Sequence, residues 1–311
     1  MPEHFMYLGI VALVISAVHF LVSTLLNPRV SGKRPREIRY KLEHVIDRTH
    51  SWWAILIVLT LAFYFQKTGI CILFSLVSFY ALREFVTLAS SSSSDHRAMF
   101  WMFFIVIPLQ YISIYHDWQL NFNYLVPFFA LIFLPVRSAM GGDTKRFLER
   151  TATLQWGLMT SVFCVSHLPA ILLLDIPGFT RNSELLLYFV LITQINDVIQ
   201  HETSLWIGKY KIAPQISSLR TWEGWFLGSI LCTLLGGLLA FMTPFYLGQA
   251  LVISFICTQL GFAGSIVMSA IKRSRGIQDF DEMIPGHGGV LDRIDSIIFS
   301  APVFLHIVRN L

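Results

Sequence analysis

Long apolar runs recur along nearly the whole chain, and they constrain its fold more than any other feature. Hydropathy places about ten of them, at roughly 7–27, 51–66, 69–89, 98–115, 122–136, 153–174, 184–200, 224–243, 248–271 and 296–308. In hydrocarbon every backbone N–H and C=O must be paired within the structure, which leaves only helices and closed barrels. A barrel is written in alternating stretches of about ten residues, whereas these runs are continuous. With 55% hydrophobic and 14% charged residues in 311, the composition excludes a soluble domain of this size. The expected fold is an all-α, polytopic membrane helix bundle with about ten membrane segments. The last run is short enough for a half-span or an interfacial helix. The first lacks a nearby basic n-region and an A-x-A site, so it reads as a retained span and not as a signal peptide.

Charge placement orients this bundle. Most of the 23 lysines and arginines fall in connections of one parity: seven in 28–50, Arg97 in 90–97, four in 137–152, three in 201–223 and four in 272–295. The opposite connections offer Lys67 and Arg181. Under the positive-inside rule the basic connections are cytoplasmic and the N-terminus lies outside. Connections 201–223 and 272–295 therefore share the cytoplasmic face. The basic 28–50 loop reads as an orientation signal that touches anionic lipid, and no nucleic-acid partner is expected. The serines at 90–94 read as a short connector. Cys71, Cys164, Cys232 and Cys257 sit inside apolar runs without metal-type spacing and read as small packed hydrophobes.

Two polar clusters break the apolar pattern. The first, Ser269–Asp295, gathers Lys272, Arg273, Arg275 and Arg293 against Asp279, Asp281, Glu282, Asp292 and Asp295, around a His287-Gly288-Gly289 turn. Ionisable groups beside a bilayer are expensive and point to function. If the segment after Gly289 is helical, Asp292 and Asp295 lie three residues apart on one face. Two such carboxylates need a cation between them, and hard oxygen ligands suit Mg²⁺. Lys272 and Arg273 are suited to phosphate oxygens, and Gly288-Gly289 lets backbone approach a polyphosphate. The second cluster, Asn196–Gly224, supplies Asp197, Gln200, His201, Glu202, Lys209, Lys211, Ser217, Arg220, Thr221 and Glu223. By contrast His19, His44, His50 and His167 are scattered without ligand spacing and read as structural.

The first cluster resembles the signature of the phosphatidate cytidylyltransferase (CDP-diacylglycerol synthase) family. It has Ser269, Lys272-Arg273, Asp279, Pro285-Gly286-His287-Gly288-Gly289 and Asp292-Arg293-Ile294-Asp295 in the family's order. The second is similar to the family's upstream block at Asp197, Gly208-Lys209, Ile216-Ser217, Arg220-Thr221 and Glu223-Gly224. Ala81-Leu82-Arg83-Glu84-Phe85 is similar to a weaker family motif of low specificity. The chain departs from the pattern at Gln278, Asp281, Ser218, Leu219, the run Val198-Ile199-Gln200-His201, and Ser265, where many bacterial members carry Asp. This is the profile of a divergent, bacterial-type paralogue.

The resemblance implies nucleotidyl transfer from CTP to phosphatidate, or to a related lipid phosphate, at the cytoplasmic face of a bacterial membrane. It implies catalytic roles for Lys272, Arg273, Asp279, His287 and Arg293. Substrate would be bound by Lys209, Lys211, Ser217, Arg220, Thr221, Glu223, Gly288 and Gly289. Metal would be held by Asp197, Asp292 and Asp295. The cofactor is Mg²⁺, with a second cation left open, as is a homodimer. The chain reads as one membrane-embedded unit, with N-terminal helices over 1–175 and the catalytic helices and signature loops over 176–311. The rival readings are a same-fold enzyme acting on another lipid phosphate and, from a different class, a transporter. A transporter would place its polar residues along a mid-membrane pathway, and these charges gather at one face.

Overall fold

The computed structural model of the protein describes residues 3–26, 53, 55–88, 95–217, 219–281 and 288–311. Among the described residues the regular structure is helical, apart from isolated bridges such as Ile176–Phe179 and Lys211–Thr221. In chain order the helices are α1 (Glu3–Leu26), α2 (Ile55–Tyr64), α3 (Gln66–Thr87), α4 (His96–Tyr115), α5 (Gln119–Ala139), α6 (Phe147–Leu173), α7 (Asn182–Ile207), α8 (Trp222–Leu238), α9 (Leu247–Ser274) and α10 (Val290–Arg309). The apolar runs read from the sequence fall on these helices in order.

Five of them, α3, α4, α5, α6 and α9, are long and apolar enough to cross a membrane, fewer than the ten segments expected. Among the described residues the apolar stretches of α1, α2 and α8 are Phe5–Ala17, Ile55–Tyr64 and Trp222–Leu238. The other two fall short for a chemical reason. α7 and α10 have the length, at 26 and 20 residues, but α7 carries Asn196, Asp197, Gln200, His201 and Glu202, and α10 carries Asp292, Arg293 and Asp295. The helices too polar to pass as spans are the ones that carry the two polar clusters.

Three helices of the N-terminal half contain a widened π-helical turn: Met102–Val106 in α4, Phe129–Phe133 in α5 and Met159–Cys164 in α6. Each precedes a proline in the same helix, Pro108, Pro135 and Pro169. A proline cannot donate to the ladder and its ring crowds the preceding turn, so a local change of helical register upstream accommodates it.

The two halves of the chain meet on α10, which packs against α7 and α9 and also against α3 and α6. Its lower half is apolar core: Phe304 is fully buried, with ring centroids 4.7 Å from Phe189 and 6.4 Å from Phe245. Its upper half approaches α9 through small residues. A Cβ added at Gly264 would stand 2.6 Å from the Asp295 carbonyl oxygen, and one at Gly261 would stand 3.2 Å from that of Ser296. Small residues are what allow helices to close together where no water drives them. In the N-terminal half a buried ion pair, Arg150 Nε to Asp95 Oδ2 at 2.8 Å, is extended by Ser138, which donates to Asp95.

Candidate active site

The C-terminal half of α7, the loop that follows it, the C-terminal end of α9 and the first turns of α10 form one polar centre. Arg220, just before α8, lies at its middle. Its Nη2 is 2.8 Å from Asp197 Oδ1 on α7, its Nη1 donates to Gln200 Oε1 at 3.2 Å, and it also donates to the Ser265 hydroxyl on α9. Ser265 in turn donates to Asp295 Oδ2 on α10 at 2.8 Å. Two carboxylates from helices far apart in sequence are thus held by one guanidinium and one hydroxyl. The backbone approach at Gly264 is what brings Asp295 against the neighbouring Ser265. Burial, and next the Asp197 charge, push the Asp295 carboxyl up to about 6, against the opposing pull of Arg220, Ser265 and Lys272.

Beside this pair, Lys272 at the end of α9 places Nζ 2.7 Å from Asp292 Oδ1 and 3.9 Å from Asp279 Oδ1. The other oxygen of Asp292 accepts the backbone N–H groups of Phe280 and Gly289, at 2.9 and 3.0 Å. Asp292 therefore folds the signature segment back on itself and satisfies one of the amides left open at the start of a helix. Asp279 is exposed, Arg293 is half-buried, and Gly288 has a φ of +78°, a left-handed conformation that suits glycine. The Arg293 backbone carbonyl accepts from Gln194 of α7 at 3.3 Å, so α7 and α10 are also tied through the backbone.

The loop after α7 is a compact clasp. Lys211 and Thr221 form an antiparallel bridge, with Ile212 N donating to Arg220 O at 3.0 Å and Trp222 N to Tyr210 O at 2.9 Å. Thr221 caps α8 by accepting from Gly224 N at 3.2 Å and donates to Ser204 at 3.0 Å. Glu223 accepts the amides of Lys209 and Tyr210 at 3.2 and 3.3 Å, and hydrogen bonds from backbone N–H groups, its own foremost, hold its carboxyl below the ordinary value. Thr221 and Glu223 thus build the loop that presents Arg220. Lys209 and Lys211 extend from it exposed to solvent, and Ser217 is half-buried. Arg273 serves the same clasp, donating to Ile216 O at 3.2 Å and to Ile277 O at 2.7 Å. The turn with Pro285, Gly286 and His287 lies outside the described residues, as do Glu282, loop 28–50 and the serines at 90–94.

Of the expected metal residues, the structure places Asp197 on the Arg220 guanidinium, links Asp295 to the same guanidinium through the Ser265 hydroxyl, and sets Asp292 on Lys272. Among the described residues no group of three or more His, Cys, Asp or Glu side chains has metal-binding spacing. Asp197, Asp295 and Ser265 are all oxygen donors, a set that fits Mg²⁺, which is held through one or two carboxylates together with substrate phosphates. One participant was underweighted from the sequence. Glu84, on α3, is 2% exposed, and its carboxylate accepts the amides of Val290 and Leu291 at 2.8 Å each. Its signal was a lone carboxylate inside an apolar run.

Comparison with known proteins places the chain in a family. Residues 46–311 match the model of the cytidylyltransferase family. The chain is 32% identical over 291 residues to the uncharacterized protein YnbB of Escherichia coli (strain K12), covering 93% of this chain and 94% of that one. It is 41% identical over 121 residues to a phosphatidate cytidylyltransferase of Aquifex aeolicus (strain VF5), covering 38% of this chain and 45% of that one. The match to the Rickettsia bellii (strain RML369-C) phosphatidate cytidylyltransferase is 33% identical over 135 residues, 41% of this chain and 58% of the relative. The chain thus spans about half the length of these two named enzymes. From this match over most of its length, the chain belongs to the cytidylyltransferase family.

Proposed function

We propose that the protein is an integral-membrane nucleotidyltransferase that joins CTP to phosphatidate, giving CDP-diacylglycerol and pyrophosphate. The observation that carries this reading is the chain of contacts that runs from Asp197 through Arg220 and Ser265 to Asp295, one turn of α10 from the Lys272–Asp292 pair. In the reaction a phosphate oxygen of the lipid attacks the α-phosphorus of CTP and the bond to the β-phosphate oxygen breaks. There is little covalent work for side chains in such a transfer; they position the groups and neutralise charge. Arg220 and Lys272, with Lys209 and Lys211 at the rim, supply positive charge for the triphosphate and the lipid headgroup. Asp197 and Asp295, with the Ser265 hydroxyl, would hold Mg²⁺, which supplies Lewis-acid polarisation of phosphoryl oxygens when bound.

The membrane setting follows from the acceptor. Acyl tails stay in the hydrocarbon beside the apolar helices while the headgroup phosphate reaches the polar ends of α7, α9 and α10. On the charge distribution this end faces the cytoplasm.

A second acceptor, a different lipid phosphate, is favoured by one observation. Similarity runs along nearly the full length with YnbB but covers only about 40% of this chain with the Aquifex and Rickettsia phosphatidate cytidylyltransferases. The deciding experiment incubates purified protein with labelled CTP, Mg²⁺ and, in parallel, phosphatidate or a polyprenyl phosphate. The expected result is a labelled CDP-lipid and pyrophosphate with phosphatidate. Product with the polyprenyl phosphate alone would move the assignment to that acceptor, and none with either would reject nucleotidyl transfer to these lipids.

A further inference from the structure

The first turn of α10 carries Asp292 and leads directly to Asp295, so whatever fixes that turn fixes both carboxylates. A helix begins with four amides that have no partner within it. An ordinary cap at the preceding position, a Ser, Thr, Asp or Asn, would satisfy some of them locally. This chain has Gly289 there, with no side chain to offer. The amides of Val290 and Leu291 are instead taken by the two oxygens of Glu84, which arrives from α3 more than 200 positions earlier in the chain, at 2.8 Å each. The glycine is part of the arrangement: a Cβ at Gly289 would collide with the Glu84 carboxylate. Alongside, Phe85 stacks on Phe280 with centroids 6.3 Å apart, and the Phe280 amide donates to Asp292. Two neighbouring residues of α3 therefore grip the signature segment on both sides of its turn.

We propose that Glu84 is a positioning residue for the nucleotidyl-transfer site, setting the start of α10 so that Asp292 reaches Lys272 and Asp295 reaches Ser265. The inference rests on the reading of the site given above. A carboxylate buried to 2% exposure is an expensive way to cap a helix, since desolvating a charge is unfavourable unless every oxygen is engaged. Both Glu84 oxygens are engaged, and by charge-assisted bonds that also suit the positive end of the helix dipole. What this arrangement supplies beyond a local cap is a fixed link between the N-terminal helices and the catalytic ones.

The test uses the full-length protein in nanodiscs with four variants, Glu84→Gln, Glu84→Ala, Gly289→Ala and Glu84→Ala/Gly289→Ala. The readouts are Mg²⁺-dependent thermal shift, kcat and KM for CTP, and hydrogen exchange over 290–296. Loss of a partner that orients metal ligands lowers affinity or activity by about 10–100-fold. Glu84→Gln, which keeps the shape and one acceptor, should raise the Mg²⁺ midpoint and lower kcat within that range, change KM for CTP less, and speed exchange over 290–296. Gly289→Ala should reproduce this, and its effect should shrink when Glu84 is already alanine, because the clash has gone. A folded Glu84→Gln protein with Mg²⁺ midpoint and kcat within twofold of wild type would overturn the positioning role. So would a Gly289→Ala effect that is undiminished in the double variant. A wild-type protein without any Mg²⁺ response would instead overturn the parent reading of the site, and the role of Glu84 with it.

Discussion

Asp295 is a carboxylate whose surroundings disfavour its charge. Its carboxyl is raised to about 6 from an ordinary 3.8, chiefly by burial and by the nearby Asp197. Between those values the folded protein binds the proton more tightly than the unfolded chain does, so stability falls as pH rises from about 4 through 6. At neutral pH the ionised Asp295 is therefore destabilising in the metal-free protein. Asp295→Asn should raise the Tm of the metal-free protein at pH 7.5 by several degrees, lose that advantage below pH 4, and abolish nucleotidyl transfer. Scanning fluorimetry across pH, with and without Mg²⁺, checks it; a variant less stable than wild type at pH 7.5 would contradict the account. At this scale the sequence was informative about which residues converge: Asp197, Arg220, Lys272, Asp292 and Asp295 were all candidates from motif and charge. It was not informative about how they divide. Pairing of Asp292 with Lys272, and of Asp295 with Ser265, depends on the rotation of α10 against α9, which spacing along one helix does not encode.

At the level of helices, the approach of α9 to α10 sets the site. Gly264 lets the Asp295 backbone come within reach of Ser265, and a Cβ there would stand 2.6 Å from the Asp295 carbonyl oxygen. Gly264→Ala should separate the two helices slightly, leave the protein folded, and reduce kcat/KM at least tenfold; a misplacement of about 1 Å can cost a hundredfold. Steady-state kinetics beside a circular dichroism melt checks it, and an unchanged kcat/KM would show that this contact does not set the geometry. The helices among the described residues were legible because continuous apolar runs leave the backbone little choice. Their character as spans was less so: α7 and α10 carry enough charge to fail on apolarity while still packing in the bundle. The π turns before Pro108, Pro135 and Pro169 were not anticipated, since a proline in a helix can be absorbed by a kink or a break as well as by a wide turn. Glu84 was visible only as a member of a short, common motif, because its partners are backbone amides that leave no mark in sequence.

Over the whole molecule, the account joins a membrane topology to a site built at one end of the bundle. Lys211 and Arg181 are both exposed, and under the positive-inside rule the alternation of basic connections would put Lys211 on the cytoplasmic side and Arg181 on the other. In a variant with Cys71, Cys164, Cys232 and Cys257 replaced, Lys211→Cys should react with an impermeant maleimide only from the cytoplasmic side of oriented vesicles. Arg181→Cys should react only from the outer side, and labelling of both from one side would overturn the topology. The N-terminal helices are coupled to the C-terminal ones, since α3 and α6 pack on α10 and Glu84 caps it. The central claim is that carboxylates from α7 and α10 act as one unit at Arg220. Residues that act as a unit are strongly non-additive, the second loss adding little to the first. The most direct test is Mg²⁺-dependent pyrophosphate release from CTP by Asp197→Asn, Asp295→Asn and the double variant. The account predicts that each single change removes nearly all activity and that the double variant is no worse than either; independent, multiplying losses would contradict it.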